Sequence, residues 1–289
     1  MCIRDRHVAA ANNSVNIFQF FIDNGIKINT TNKMEETPLH LAAQFDQGEI
    51  AKMLIERGAE IDIKNKNKET PLFLAIKSAS QLAAKILLEE GASIYFVDEN
   101  GDTVPYVDQN GNTMLHLASM KGLVKIIDIL IEKGPNGYID AKNSMGQTAL
   151  FFAIKGKHKE VAKTLLANGA NVNIDFIDEH GNTLLHLASM HGLVNTIGML
   201  IEQASREYSE ETVKKYIDVG NTHGETALYL AIINKHTEVA KVLIENGADV
   251  NIIYEDGNTI LHLVIMFDCD DIAEMIIPKC RDVTISNND

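Results

Sequence analysis

The chain has no tryptophan, only three cysteines and five prolines among 289 residues, and aromatic residues make up 6% of it. Each shortage excludes something. Cys2, Cys269 and Cys280 are odd in number and irregularly spaced. That pattern argues against a disulfide framework and fits free thiols in a reducing compartment. No Cys-x-x-Cys pair offers a frame for structural zinc. No apolar run is as long as a membrane span, and no signal-peptide pattern opens the chain. Asn12-Asn13-Ser14 and Asn29-Thr30-Thr31 match glycosylation acceptors, a match with no weight in the absence of such a signal. Positive charge is also scarce: 26 Lys and Arg against 40 Asp and Glu leave a net charge of -14. A nucleic-acid groove needs a basic stripe to neutralise phosphates, so this balance speaks against one. It favours a basic protein partner, although acidity serves plain solubility as well. Gly-rich phosphate loops, nucleophile elbows and kinase signatures are missing, and no cofactor is implied.

What is present is a repeat. Thr37-Pro38-Leu39-His40-Leu41-Ala42-Ala43 has counterparts at Thr113–Ser119, Thr183–Ser189 and Thr259–Val264, each with His in the fourth place. Three further copies, at Thr70, Thr148 and Thr226, carry Phe73, Phe151 and Tyr229 instead, and His7-Val8-Ala9-Ala10 is the stub of an eighth. The steps Thr37 to Thr70 and Thr226 to Thr259 are 33 residues, with insertions of 2 or 10 elsewhere. The aromatic copies recur at 78 (70 to 148, 148 to 226), as a duplicated pair would. A unit of this size cannot bury its apolar face alone, so it stacks into a solenoid.

Each unit reads as a turn and two helices. Around Thr226, Asn221-Thr222-His223-Gly224 signals a turn, Thr226 suits an N-cap, and Leu228, Ala231 and Ile232 form one apolar stripe. Pro38 and Pro71 stand at the first helical position of their copies. After a break at Asn234-Lys235, a second helix carries Val239 to Ile244 and stops at Asn246-Gly247. The Gly-x-Thr-Pro-Leu-His-x-Ala opening with the Gly-Ala-Asp-Val-Asn close resembles the ankyrin repeat over roughly residues 7 to 280. The resemblance implies an all-α solenoid of antiparallel helix pairs with short β-hairpin fingers. It also implies that fingers and first helices line a concave face where partner proteins bind.

On this register the chain divides into a truncated N-terminal repeat at 1–35, seven repeats (36–68, 69–111, 112–146, 147–181, 182–224, 225–257, 258–280) and a tail at 281–289. Three departures stand out. Arg4 sits where Thr should, without a preceding Gly turn. Glu35 and Lys68 replace the finger glycine, so the fingers before Thr37 and Thr70 are expected to be irregular. Val97–Thr103 is echoed by Val107–Thr113, giving two candidate fingers before one helix pair; the first reads as an extended loop, because Val104-Pro105-Tyr106 cannot begin the usual helix.

The ten histidines invite a catalytic reading, but no nucleophile or orienting acid accompanies them. The resemblance implies that His40, His116, His186 and His262 hold loop backbone, and that His158 and His236 fill a structural slot before the second helix. His186 and His191 are five apart, which does not make a metal-binding i, i+4 pair. The residues just after the Ala-Ala slot are the better candidates. In the family pattern these pairs face the groove: Gln44-Phe45, Met120-Lys121, Met190-His191, Ile233-Asn234 and Met266-Phe267 among them. Phe45, Met120, Met190, Ile233 and Met266 form either an apolar partner strip or ordinary inter-helix packing. Gln109, Asn110, Glu179 and His180 are the candidate finger contacts. The insertion from Ser205 to Lys215 reads as a helix capped by Ser209, either a solvated extension or a partner-specific protrusion.

The function expected is a non-catalytic protein–protein interaction scaffold or adaptor, without nucleic-acid or membrane binding. The alternative is a targeting module cut from a larger enzymatic or secreted-effector protein; an enzyme in its own right would need an acid/base constellation outside the repeat slots. A cytoplasmic location is expected. The Asn-Gly-Asn-Thr-x-Leu-His form resembles repeat proteins of intracellular bacteria or protists, which implies delivery into a host cell as an alternative.

Overall fold

A computed structural model describes residues 27–98, 103–255 and 257–280, together with Asn16 and Phe20. The stub around Arg4 and His7, Cys2, most of 1–35, residues 99–102 and the tail at 281–289 lie outside the described residues. The chain forms two compact units, Met1–Ala149 and Leu150–Asp289.

In the first unit the helix pairs are α1 (Pro38–Gln44) with α2 (Gly48–Glu56), α3 (Pro71–Lys77) with α4 (Gln81–Glu89), and α5 (Met114–Met120) with α6 (Val124–Lys133). First helices stack on first helices and second on second: α1 on α3 on α5, and α2 on α4 on α6. In the second unit, α7 (Ala149–Lys155, starting one residue before the boundary) pairs with α8 (Lys159–Ala167), and α9 (Leu184–Met190) with α10 (Val194–Glu207). After α11 (Glu210–Asp218) come α12 (Ala227–Ile233) with α13 (Thr237–Glu245), and α14 (Ile260–Met266) with α15 (Asp270–Ile276). Here α9, α12 and α14 stack in turn, as do α8, α10, α13 and α15.

Two local devices make these short helices. At the start, the threonine hydroxyl accepts from the backbone N–H three residues on, as Thr37 does from His40, Thr70 from Phe73 and Thr226 from Tyr229. At the end of each first helix one residue turns left-handed. The next N–H then reaches back to a carbonyl five residues earlier: Gln47 to Ala42 at 2.8 Å, Leu123 to Ala118 at 3.0 Å. Second helices close the same way at Gly58, Gly91, Gly169 and Gly247. The apolar stripe then has one face to bury. Leu72, Leu115, Leu150, Leu185 and Leu228 are all inaccessible to solvent or nearly so, within stacked layers of Ala, Ile and Val.

Two expectations are corrected. The segment before Tyr106 is not an extended loop. Tyr95–Val97 (β1) and Thr103–Pro105 (β2) pair antiparallel, with Phe96 opposite Val104, and Tyr106 N–H continues the ladder to Ile94 O. Pro105 sits at the end of an edge strand, where its missing N–H does no harm. The fingers at Glu35 and Lys68 are also regular. Both residues take the left-handed conformation a glycine would, φ 58° and 63°, and their N–H groups bond Asn32 O at 3.0 Å and Asn65 O at 2.9 Å. Gly111 repeats that turn onto Asp108 O at 3.0 Å. The insertion is a helix as expected, capped by Ser209 and carrying a Glu211–Lys215 pair at 2.7 Å. It is not merely solvated, because Val213, Tyr216 and Ile217 are buried and the phenol of Tyr216 is raised by that burial.

Candidate functional site

Three motif histidines, His40, His116 and His186, join one repeat to the next, while His262 contacts Thr259 of its own repeat. His186 is fully buried; its Nδ1 lies 2.8 Å from Thr183 Oγ1 and accepts from Thr183 N–H at 3.1 Å, and its Nε2 lies 3.0 Å from Glu225 O. His40 and His116 make the same three contacts, reaching Glu69 O and Gln147 O. An Nδ1 that accepts from an amide leaves the proton on Nε2, where it donates to the next repeat. Burial disfavours a second proton, so all three imidazoles titrate below the ordinary histidine value. These rings are braces, with every ring nitrogen engaged.

The fingers are just as fully committed. In six of them, one Asn or Asp side chain accepts two backbone N–H groups, two and four residues ahead, as Asn65 does from Asn67 and Glu69, Asp108 from Asn110 and Asn112, and Asn221 from His223 and Glu225; the finger at 254–258 has Tyr254 in that place. Where that residue is Asn, its amide donates to a Glu or Gln four on; where it is Asp, it accepts from an Asn four on. The two polarities meet across repeats. Asn143 donates to Asn112 at 2.8 Å, and Asn221 to Asn182 at 3.0 Å. Backbone stitches reinforce them: Lys66 N–H to Met34 O, Ser144 N–H to Asn110 O and Thr222 N–H to His180 O, each 3.0 Å.

What these networks leave over is the ends of the first helices and the finger tips. In the first unit, Phe45, Gln109, Asn110 and Lys121 are exposed and Met120 is half-buried. In the second, Glu179, His180, Asn234 and Met266 are exposed, while Met190, His191, Ile233 and Phe267 are half-buried. The apolar strip is therefore not uniform. Phe45 at 50% and Met266 at 61% exposure stand clear of the core, whereas Met120, Met190 and Ile233 divide their surface between packing and solvent.

The family model for ankyrin repeats, in three copies, matches residues 6–98, 62–138, 95–175, 137–206 and 200–289, nearly the whole chain. The chain belongs to the ankyrin-repeat family. Its all-α repeat fold is that of the family, and ankyrin repeats are protein–protein interaction modules. The human ASB11 ankyrin repeat domain resembles the chain at a TM-score of 0.61 and 25% identity, over 84% of this chain and 98% of that one. Among curated relatives, the nuclear factor NF-kappa-B p105 subunit of Gallus gallus is 32% identical over 58% of this chain and 16% of its own length. The human NF-kappa-B inhibitor alpha is 32% identical over 41% of this chain and 36% of its own. A probable E3 ubiquitin-protein ligase of rice, XBOS32, is 30% identical over 52% and 34%. The chain thus spans about a third or less of each of these relatives' lengths.

On the candidate face, His191 is perturbed by its surroundings. Burial, then Lys157 and His236, hold its imidazole below the usual value. His236 is itself turned inward, its Nε2 3.2 Å from Met190 O. Among the described residues no group of three or more His, Cys, Asp and Glu could hold a metal, and no helix is long and apolar enough to cross a membrane. The cross-repeat amide pairs escaped the sequence reading. Their signal is the alternation Asp108…Asn112, Asn143…Gln147 and Asp178…Asn182, Asn221…Glu225, in which donor and acceptor ends swap from one repeat to the next.

Proposed function

We propose that this ankyrin array is a non-catalytic scaffold or adaptor that binds a partner protein along its finger and first-helix face. The carrying observation is the contrast just described. His40, His116 and His186 and the Asn and Asp side chains at the base of the fingers are spent on the fold, while Phe45, Lys121 and Met266 project from equivalent helix ends without such a role. In the first unit the proposed contacts are Phe45, Gln109, Asn110, Met120 and Lys121. In the second they are Glu179, His180, Met190, His191, Ile233, Asn234, Met266 and Phe267. Exposed Met and Phe beside polar tips suit a partner surface, because apolar anchors supply energy and the polar rim orientation. The acidic balance favours a basic partner for the face as a whole, and a cytoplasmic location belongs to the same reading.

A second reading is supported by the length of the relatives, NF-kappa-B p105 and the E3 ligase XBOS32 among them. In it this array is the targeting module of a longer protein and delivers another domain to the same partner. Affinity capture with the chain as bait, followed by mass spectrometry, tests both. One dominant partner lost on truncating the helix-end side chains is the expected result, and a partner indifferent to them refutes the site.

A further inference from the structure

The regular stitching of fingers is interrupted once in the first unit. The finger at 32–36 is tied to that at 65–69 through Lys66, and that at 108–112 to its successor through Ser144. Among the described residues no backbone hydrogen bond joins 65–69 to 108–112. The inserted hairpin β1–β2 separates them, and a cleft of about 520 Å³ opens between the two fingers. Its lining includes Phe73 and Tyr106, which are nearly buried, and the exposed amides of Asn67, Gln109 and Asn110. Lys64 lies over the Phe96 ring at 4.2 Å and the Tyr106 ring at 5.2 Å, bracing one side.

The charge beside this cleft runs against that of the chain. Residues 64–77 hold Lys64, Lys66, Lys68 and Lys77 against Glu69, in a protein of net charge -14; Asp108 adds a second carboxylate to the cleft lining, but its oxygens already accept from the Asn110 and Asn112 N–H groups and the Asn112 amide. Glu69 is already committed. Burial works to raise its carboxyl, but the Lys77 hydrogen bond at 2.6 Å, with those of Asn65 and Asn67, outweighs it and leaves the group ionised below its usual range. Lys66 and Lys68 are exposed and have no ion pair among the described residues. The backbone of Lys68 sits at φ 63° in the turn.

We infer that this cleft receives an extended acidic segment of a partner protein. Its carboxylates would meet Lys68 and Lys66, its backbone would meet the amides of Asn67, Gln109 and Asn110, and one apolar side chain would rest on Tyr106. The volume suits two or three residues rather than a folded surface. A nucleic acid is disfavoured, since a polyanion needs a longer basic track than one finger and would be repelled by the rest of the chain. The inference rests on the partner-binding reading above and gives it a sign. This finger selects acidic chains, although the chain as a whole has a net charge of -14.

The test is selection of a displayed library of random dodecapeptides on the full chain. Enriched peptides should carry Asp and Glu around one apolar residue. Their synthetic forms should bind at least tenfold more weakly to the variant Lys66→Ser/Lys68→Gly, and more weakly at 0.5 M than at 0.05 M salt. Glycine keeps the turn conformation, so unchanged or raised stability of this variant separates lost charge from lost fold. Gln109→Trp, which fills the cleft, should cost binding comparably. Peptides without acidic enrichment, or insensitive to both variants, overturn the inference. Peptides that respond to Met120→Ala and not to the cleft variants also overturn it and leave the helix-end reading intact. Retention of a single-stranded oligonucleotide in preference to the peptides overturns it as well.

Discussion

Replacing His186 by Phe tests the histidine brace in a way that its magnitude and its pH dependence should both reveal. Phe occupies the same slot in two copies of this chain, Phe73 and Phe151, so the ring volume is accommodated and little cavity forms. What is lost is polar: Thr183 N–H and Glu225 O keep their burial and lose their partner. At about 1–2 kcal/mol for each stranded backbone group, the variant should be less stable by about 2–4 kcal/mol near pH 7.5. The pH dependence gives the sharper test. The folded-state pKa of His186 is depressed by burial, so its contribution is complete above the unfolded value near 6.5. It is lost as the pH falls toward the folded value, because the unfolded chain binds the proton first. Each such histidine removes about 1.4 kcal/mol per pH unit over that window. His40 and His116 behave alike in both proteins and cancel in the difference. Urea unfolding followed by far-UV circular dichroism at pH 7.5, 6.5 and 5.5 should therefore show the gap between wild type and His186→Phe shrinking with acidity. A gap that stays constant or widens would refute the brace.

Four further outcomes follow. Leu185→Ala, fully buried in the second unit, should cost about 2–5 kcal/mol, and the unfolding transition should broaden as neighbouring repeats uncouple; a midpoint shift no larger than that of Lys163→Ala contradicts this. Lys68→Gly should raise the unfolding free energy by about 1 kcal/mol, since only the β-carbon resists the left-handed turn; destabilisation would show that its side chain supports the finger. Asn221→Asp removes the donor to Asn182 and sets a second carboxylate against Glu225, for a loss of about 1–3 kcal/mol, part of which Glu225→Asn should restore by recreating the Asp178–Asn182 polarity; additive losses in the double variant would dissolve the pair. Val213→Ala in the insertion should cost about 1–2 kcal/mol by leaving a gap against α10; a neutral result would return the insertion to the status of a solvated extension.

The sequence carried the repeat because its signals are local. Thr37, Thr70 and Thr226 cap their helices through their own hydroxyls, and Gly58 or Gly247 ends the next helix through its own backbone, so each could be read without knowing the neighbours. The braces formed by His40, His116 and His186 were legible only through family resemblance, since Glu69 O, Gln147 O and Glu225 O lie about 30 to 40 residues away. The irregular fingers expected at Glu35 and Lys68 failed for an identifiable reason. The Asn32 and Asn65 side chains bind two backbone N–H groups each, and that turn offsets the strain of a left-handed non-glycine residue. The β1–β2 hairpin was hidden because Pro105 weakens a strand pattern and its partner Tyr95-Phe96-Val97 is only three residues long. For the candidate face, position in the repeat was legible, but exposure was not: Met120 and Met266 occupy the same slot, yet Met120 is half-buried and Met266 exposed.

The central proposal is a partner bound along the finger and first-helix face, and quantitative capture on helix-end variants tests it most directly. Wild-type chain, Met120→Ala/Met190→Ala, and the second-helix controls Lys163→Ala and Lys241→Ala would be used as equal amounts of bait, with the main captured protein measured by mass spectrometry and helical content checked by circular dichroism. The proposal predicts at least a tenfold loss of that protein on the methionine variant, with unchanged helicity and near wild-type capture by both controls. Capture undiminished by the methionine changes and abolished by Lys163→Ala or Lys241→Ala would contradict it.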